Sequence, residues 1–250
     1  MLKVYTVPLG ASMCEDFCKE LAGKPYGEGV MVLPTGLLQT KAAQTYNVPT
    51  TGFDTLASKV INMNGYLGLH EVNRREQELI VEQALKYWAE KGEITYFAQM
   101  MEKKGFVNQL TTFLGQLARS GATADEIHNA FKAWERTSFK QAKDEEIWKI
   151  YFAYRFLLKN EDNFDLEGKY RLALKILKEE EAPKLPWRYI YVSDFATLDA
   201  LQLEFLIALA KHCHIKVGIA YNEEQDVFAA SAGTLEQLEH VTKLEPVAGV

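Results

Sequence analysis

Short apolar runs and segments of helical period alternate at both ends of the chain. Each run is rich in β-branched and aromatic residues, and proline or glycine ends the first two, so the pattern predicts strands followed by helices. Residues 50–53 begin a third such unit, in which Asp54 is predicted to cap a helix over 55–62. The predicted strands are residues 2–7, 30–33, 188–192 and 214–220.

The middle of the chain has a different period. From residue 71 to about 181, apolar residues recur every three or four positions, and no run is typical of a strand. Thr123 and Glu126 have the spacing of a capping box, and Gly121 is expected to end the helix before it. The predicted helices are residues 72–91, 95–103, 106–120, 123–137, 144–160 and 167–181.

These patterns predict an α/β fold with one parallel sheet and a large all-helical insert. The sheet is expected to form from residues 1–68 and 186–250, and the insert from residues 69–185. Residues 229–250 are polar and rich in small side chains, and the end of this stretch, residues 247–250, closes no recognisable unit. We therefore expect the chain to be an N-terminal fragment of a longer protein.

Composition excludes several classes of protein. With 250 residues, 48% of them hydrophobic and 25% charged, the chain is expected to bury a sizeable core. A formal charge of −6 argues against binding nucleic acid mainly by neutralising phosphates. Three cysteines indicate free thiols rather than a disulfide framework, and no run approaches the roughly 18 to 20 apolar residues of a membrane span. A cytoplasmic protein is expected.

The loop after the first strand stands where a phosphate-binding loop would lie. Such a loop needs two glycines, a lysine and a Ser or Thr, because its backbone wraps the phosphate and its lysine neutralises charge. Those four positions hold, in order, Pro8, Met13, Cys14 and Glu15. ATP and Mg²⁺ are not expected to bind in the ordinary way, and a plain strand–helix turn is the alternative. The candidate nucleotide-binding residues here are Gly10, Ser12, Cys14 and Glu15.

A second candidate nucleotide-binding element ends the strand near residue 190. In a Walker B element an aspartate orients Mg²⁺ and a following glutamate orients water. Ser193 and Asp194 occupy these two positions, so one of the two carboxylates is missing. The alternative is that Asp194 caps the turn that follows.

Other residue clusters favour packing or solvation over chemistry. Cys14, Cys18 and residues 212–214 contain thiols and imidazoles, but four convergent ligands are not evident, so no metal site is expected. The aromatic residues of the insert have helical spacing, which favours a core role for side chains such as Tyr151 and Phe152. The basic clusters are small and interleaved with acids, which indicates solvated faces.

The order of these segments resembles the N-terminal region of the B subunit of AddAB/RexAB-type ATP-dependent helicase-nucleases. That region is similar to a UvrD-type superfamily 1 helicase without its catalytic residues. The matching segments are residues 2–15, 30–34 (VMVLP), 52–57 (GFDTLA), 106–117, 123–127, 190–198 (IYVSDFATL), 215–220 and 227–228.

The resemblance implies a P-loop-NTPase-like sheet, single-stranded DNA as ligand and a motor/nuclease A-type subunit as partner. Phe53, Thr55 and Phe195 match positions of the strand-reading surface. Thr55 and Ser58 stand where typical members carry Arg and Trp, which puts sequence-specific reading in doubt. The family's nuclease domain and iron–sulfur cluster are expected beyond residue 250, so no cofactor is expected in this fragment.

The sequence thus favours a non-catalytic helicase-like scaffold that guides single-stranded DNA during double-strand break processing and recombinational repair. One alternative is a nucleotide-binding enzyme or switch with an atypical phosphate loop. The other is a pure protein-interaction module. The fragment itself is not expected to be an enzyme, whereas the full-length parent resembles a component of an ATP-dependent exodeoxyribonuclease.

Overall fold

A computed structural model describes residues 1–8, 10–134, 137–160, 163–179, 182–221 and 229–247. Its contacts divide the chain into two compact units. The sheet unit comprises Met1–Leu67 and Tyr170–Val250, and the helical unit comprises Gly68–Lys169. The second division therefore falls at residue 170 rather than at 185. Residues 170–179 belong to the sheet unit, where the Tyr170 ring packs edge-on against Phe205 with centroids 5.6 Å apart.

The sheet unit contains six parallel strands in the order β3-β2-β6-β7-β1-β8, which confirms the predicted parallel α/β sheet. Two shorter strands, β4 and β5, belong to the helical unit. In chain order the strands are β1 (Leu2–Val7), β2 (Gly29–Val32), β3 (Thr50–Thr51), β4 (His70–Glu71), β5 (Asn163–Phe164), β6 (Tyr189–Phe195), β7 (His214–Ala220) and β8 (Leu244–Pro246).

The helices of the sheet unit follow its strands. In chain order they are α1 (Cys14–Ala22), α2 (Gly36–Tyr46), α3 (Phe53–Met63), α9 (Ala200–Leu209) and α10 (Ala229–Glu239). β2 is wholly buried, as expected for a central parallel strand covered on both faces. Gly29 begins β2 because α1 packs closely there: a Cβ at this position would lie 2.7 Å from Cδ2 of Leu21.

The C-terminal segment forms regular structure that the sequence did not predict. α10 is followed by β8, which pairs with β1 in parallel, with Val4 opposite Leu244 and Thr6 opposite Pro246. Ser231 and Thr234 of α10 donate hydrogen bonds to the carbonyls of Ala196 and Leu198. Residues 248–250, at the end that was expected to close no unit, lie outside the described residues. The small polar residues of α10 are hydrogen-bond partners for the backbone after β6.

Among its described residues, the helical unit contains four complete helices, the start of a fifth and a short parallel pairing of β4 with β5. Asn73 and Thr123 cap α4 and α6 in capping boxes with Glu76 and Glu126, and the second of these was predicted. Gly121 ends the preceding helix with φ +77°, also as predicted. The helices are α4 (Arg74–Glu90), α5 (Lys104–Arg119), α6 (Ala124–Ala133) and α7 (Ser138–Asn160), and α8 (Leu166–Glu179) begins in this unit.

The helix predicted over residues 95–103 is absent, and this segment forms turns instead. Its backbone is bound by Glu146 of α7, a carboxylate that is only 3% exposed. Glu146 accepts hydrogen bonds from the backbone N–H groups of Thr95, Tyr96 and Phe97. A partner about fifty residues away thus replaces the helical hydrogen bonds that local periodicity predicted.

The aromatic residues of α7 divide between the core and the surface. Tyr151 and Tyr154 are buried, as predicted, and belong to the core of the helical unit. Phe152 and Phe156, one helical turn apart, remain 46% and 56% exposed. The core role that helical spacing favoured is therefore wrong for these two side chains.

Candidate functional site

The segments that follow the parallel strands leave the sheet at one edge. β7 lies between β1 and β6, so the loops after Val7 and after Phe195 emerge on the same side of the sheet. In open parallel sheets this carboxyl edge is where ligands bind. The site residues predicted from the sequence all lie in segments at or just beyond this edge.

Side chains of the loop between β1 and α1 hydrogen-bond to its own backbone and pack against the sheet. Gly10 has φ +83°, and the Ser12 hydroxyl accepts a hydrogen bond from the Cys14 backbone N–H at 3.0 Å. Met13 is 9% exposed and packs against β7, where a Cβ on Gly218 would lie 2.8 Å from the Met13 Cβ. The Met13 side chain therefore occupies the space between the loop and the sheet.

Glu15 does not face this interior. It is exposed in the first turn of α1, and its carboxylate lies 2.6 Å from the Lys19 ammonium. Lys19 lowers the pKa of Glu15 by hydrogen bonding and by charge. At the position where a phosphate loop has a Ser or Thr, this chain has an ionised carboxylate with a partner on its own helix.

Two thiols and a carboxylate join this loop to the end of β6. The hydrogen bond from the Cys18 thiol lowers the pKa of Cys14, and the same bond, together with burial, raises the pKa of Cys18. The Asp194 carboxylate acts on both thiols and opposes ionisation of each. Cys14 and Asp194, predicted independently from two segments, are thus brought together at this edge.

We expect Cys14 to be the first cysteine alkylated by iodoacetamide at neutral pH. It is half-buried and its pKa is lowered, whereas Cys18 is fully buried and burial raises the pKa of Cys213 to about 12. Because the thiolate is the nucleophile, the Cys14 rate should level off at a lower pH than that of an ordinary cysteine. Time-resolved peptide mapping by mass spectrometry measures the order in which the cysteines are alkylated. Equal alkylation rates for Cys14 and Cys213 would contradict the prediction, and Cys14→Ser should remove the fastest phase of alkylation.

The end of β6 is irregular. Ser193 is buried, whereas Asp194 is exposed and has φ +64°, a backbone conformation that costs non-glycine residues energy and recurs at functional sites. The pairing register with β7 shifts between Val192 and Phe195. α9 is capped by Asp199 in a capping box with Gln202, so Asp194 is not the cap of that helix.

Phe195 and Phe53 meet at this edge. Their ring centroids lie 5.1 Å apart at 67°. Phe53 is 3% exposed and Phe195 is half-buried, so Phe195 is the more accessible residue of the pair. Thr55 is exposed on the first turn of the same helix as Phe53.

Asp54 has a role other than the predicted cap. α3 begins at Phe53 after Gly52, so Asp54 lies within its first turn. The Asp54 carboxylate accepts a hydrogen bond from the Tyr170 hydroxyl at 2.8 Å. Burial, followed by the charge of Asp54, raises the pKa of Tyr170, which keeps the phenol a donor.

Two helix N-termini also reach this edge, in addition to the site residues predicted from the sequence. α2 and α3 each begin within a few residues of β2 and β3. Thr35 caps α2 by accepting from the Leu38 N–H, whereas Gly52 supplies no side-chain cap to α3. Leu37 is 80% exposed in the first turn of α2. The proline, threonine and glycine after a buried strand were the signal that could have found this terminus.

The fold defines an α/β protein whose parallel sheet carries strand-end loops and helix N-termini at its carboxyl edge. Residues 35–248 match the family model described as "ADDB, N-terminal", and the chain belongs to this family. It is also 25% identical over 205 residues to the B subunit of the ATP-dependent helicase/deoxyribonuclease of Lysinibacillus sphaericus (strain C3-41). The aligned region covers 78% of this chain and 17% of that relative. The resemblance drawn from motif order is confirmed.

Two features are absent from the described residues. No helix there is both long and apolar enough to cross a membrane. Within the same ranges, no group of three or more His, Cys, Asp or Glu side chains is placed to hold a metal ion. Residues 227 and 228, which contribute to the resemblance, lie outside the described residues.

Proposed function

We propose that this chain is a non-catalytic, helicase-like scaffold that guides single-stranded DNA along the carboxyl edge of its sheet. The relative is named as the B component of a helicase/deoxyribonuclease, which supports a place in DNA break processing and repair. In this proposal an A-type partner supplies ATP hydrolysis. The observation that carries the proposal is the half-buried Phe195 ring, packed edge-on against Phe53 at the carboxyl edge of the sheet.

In this proposal the Phe195 ring contacts the bases of the DNA strand, and the helix N-termini contact its phosphates. An aromatic face stacks on any base, and each stacked base contributes about 1–3 kcal/mol. The first turns of α2 and α3 present backbone N–H groups and the positive ends of their helix dipoles, which suit phosphate. With a net charge of −6, the chain relies on such local contacts rather than on a basic track.

Mg-ATP does not fit the loop after β1. A P-loop-like origin of the sheet is supported by the succession of β1, loop and α1, with a Walker B-like segment at the end of β6. The loop itself has no lysine, its interior is filled by Met13, and Asp194 adds negative charge beside Cys14. A triphosphate would meet a carboxylate where it needs a cation. The nucleotide-binding alternative is therefore the weaker one.

Phe195→Ala is expected to weaken binding of a short single-stranded oligonucleotide by about 5- to 150-fold, which corresponds to the loss of one stacked base. The measurement is fluorescence anisotropy with the full-length protein and its partner. Tyr26→Ala is the matched control, because Tyr26 is 97% exposed in the turn that leads into β2 at the opposite, amino edge of the sheet.

Equal oligonucleotide affinities for Phe195→Ala and Tyr26→Ala would remove Phe195 from the DNA path. If the assembled complex binds no single strand through this chain, the protein-interaction alternative replaces the proposal. A rise in melting temperature of the isolated chain with Mg-ATP would instead restore the nucleotide-binding alternative, since a ligand that binds only the folded state stabilises it.

A further inference from the structure

A small cavity lies at the amino edge of the sheet unit, at the opposite ends of the strands from the candidate site. β6 begins at Tyr189, β7 at His214 and β1 at Leu2, and residues at or next to these strand starts line the cavity together with the end of α1. Its volume is about 150 Å³, below the roughly 300–1,000 Å³ of sites for drug-sized ligands. This amino-edge cavity therefore suits one small group.

Basic side chains outnumber acidic ones in the lining of the amino-edge cavity, although the whole chain carries a formal charge of −6. The basic lining residues are Lys3, Lys24, His214 and Lys216. Among the described residues of the lining, Glu20 supplies the one carboxylate. Lys3 is paired outside the lining with Glu245, at 3.4 Å. The charge of the cavity therefore depends on the two remaining lysines and on Glu20.

Two ammonium groups share the Glu20 carboxylate. Its Oε2 lies 2.5 Å from the Lys216 ammonium, and its Oε1 lies 3.6 Å from that of Lys24. The Tyr191 hydroxyl also donates to Oε1, at 2.5 Å. Burial acts to raise the pKa of Glu20, but hydrogen bonds from Lys216 and Tyr191 lower it overall, so the carboxylate is ionised. Within the described parts of the chain neither ammonium pairs with a second carboxylate, which leaves one positive charge in excess.

Aromatic rings position these cations. The Lys24 ammonium lies 4.7 Å from the centroid of the Tyr189 ring. The Lys216 ammonium lies 5.2 Å from that of Tyr191. An ammonium is attracted to the face of a ring, and it has three N–H donors, of which one carboxylate does not use all. The exposed His214 ring stacks on Tyr189 with centroids 5.4 Å apart, and none of the described residues hydrogen-bonds to the imidazole.

We propose that the amino-edge cavity binds one phosphate group, either as the free ion or as the monoester of a small molecule. The ammonium groups of Lys24 and Lys216 neutralise its charge, and a ring N–H of His214 donates a further hydrogen bond. A phosphate monoester carries about −1.5 to −2 charges at neutral pH, which suits a site with positive charge in excess.

The kind of cation favours phosphate over carboxylate. Lysine binds phosphate as a point charge, whereas the planar fork of arginine matches a carboxylate in a bidentate way. Arginine is absent from the described lining of the cavity. The inference goes beyond the proposed function and does not depend on it, because the cavity lies where strands begin and Phe195 lies where one ends.

The double variant Lys24→Met/Lys216→Met is expected to weaken phosphate binding at least tenfold, because it removes both ammonium groups and keeps apolar side chains of similar length. Inorganic phosphate is titrated by isothermal titration calorimetry into the full-length protein with its partner, at constant ionic strength. The difference between the original protein and the variant isolates this site from any other phosphate site in the complex. Lys19→Met is the matched control, since Lys19 pairs with Glu15 at 2.6 Å on α1 and does not line the cavity.

Glu20→Gln is expected to change the affinity in the opposite direction and to tighten phosphate binding several-fold. Glutamine still accepts a hydrogen bond from Tyr191, but it no longer neutralises the two lysines. Loss of folding does not produce a gain in affinity, so this variant keeps the test valid if the double lysine variant folds poorly.

Titration with 2′-deoxyadenosine 5′-monophosphate distinguishes the sources of the phosphate group. Binding tighter than that of inorganic phosphate, and weakened in the lysine variant, would identify a nucleotide as the source. Binding no tighter than that of inorganic phosphate would identify the free ion, and both results support a phosphate site.

Equal phosphate affinity in the original protein, the double lysine variant and Glu20→Gln would overturn the inference. Displacement of phosphate by an equal concentration of acetate would also overturn it, because the cavity would then hold any anion. The Phe195→Ala titration uses a different ligand and a different edge of the sheet, so its outcome is independent of this one.

Discussion

Glu146→Ala is expected to destabilise the helical unit by about 3–5 kcal/mol, the largest effect of any single change considered for this chain. The Glu146 carboxylate accepts from the N–H groups of Thr95 and Tyr96 at 2.6 Å and from that of Phe97 at 3.0 Å. It also accepts from the Thr95 hydroxyl at 3.0 Å. Each buried donor left without a partner costs about 1–3 kcal/mol, and more when the lost acceptor is charged.

Urea unfolding and amide hydrogen exchange together measure the loss of stability caused by Glu146→Ala. Exchange should accelerate first at residues 95–97, because their donors lose their acceptor. Glu146→Gln keeps one neutral acceptor oxygen and should lie between alanine and the original residue. Glu145→Ala is the control, since the Glu145 carboxylate pairs with His128 at 3.1 Å and is 41% exposed, a position at which about 0–1 kcal/mol is expected. Similar losses at both positions would show that Glu146 does not organise this segment.

Gly218→Ala is expected to destabilise the sheet unit by about 1–3 kcal/mol, the usual range for overpacking a close-packed core. The added Cβ would lie 2.8 Å from both Cβ and Cγ of Met13 and 3.5 Å from the Ser193 hydroxyl. The Met13 Cβ is fixed to the backbone that leads into α1, so the loop has to move. The same substitution should therefore also change the rate at which Cys14 is alkylated.

Thermal and urea unfolding of single and double variants test the Gly218 prediction. Met13→Gly removes the clashing atoms, so the double variant should lose less stability than the sum of the two single variants. Gly233→Ala is the control in the same unit, because a Cβ there meets nothing within 4 Å and a helical alanine is favoured by about 0.5–1 kcal/mol. Additive losses for Met13→Gly and Gly218→Ala would contradict the close contact.

The local signals in the sequence determined much of the fold. β1 and β7 have the predicted bounds, because β-branched runs between turn residues fix a strand without distant help. The capping box at Thr123 formed as its spacing required. The order of these segments was also enough to indicate the family, which the match over residues 35–248 confirms.

Tertiary structure decided what depends on partners far apart in the chain. Periodicity predicted a helix at residues 95–103, but the Glu146 carboxylate binds the backbone N–H groups there and the segment forms turns. Residues 244–246 form a strand because they pair with β1. Phe53 and Phe195 became neighbours, one buried and one half-buried, because parallel strands from distant segments end at the same edge. Periodicity places Phe152 and Phe156 on one helical face, but it does not say whether another helix covers that face. Helical period and strand alternation act over a few residues, whereas burial and hydrogen-bond partners are set by which elements meet.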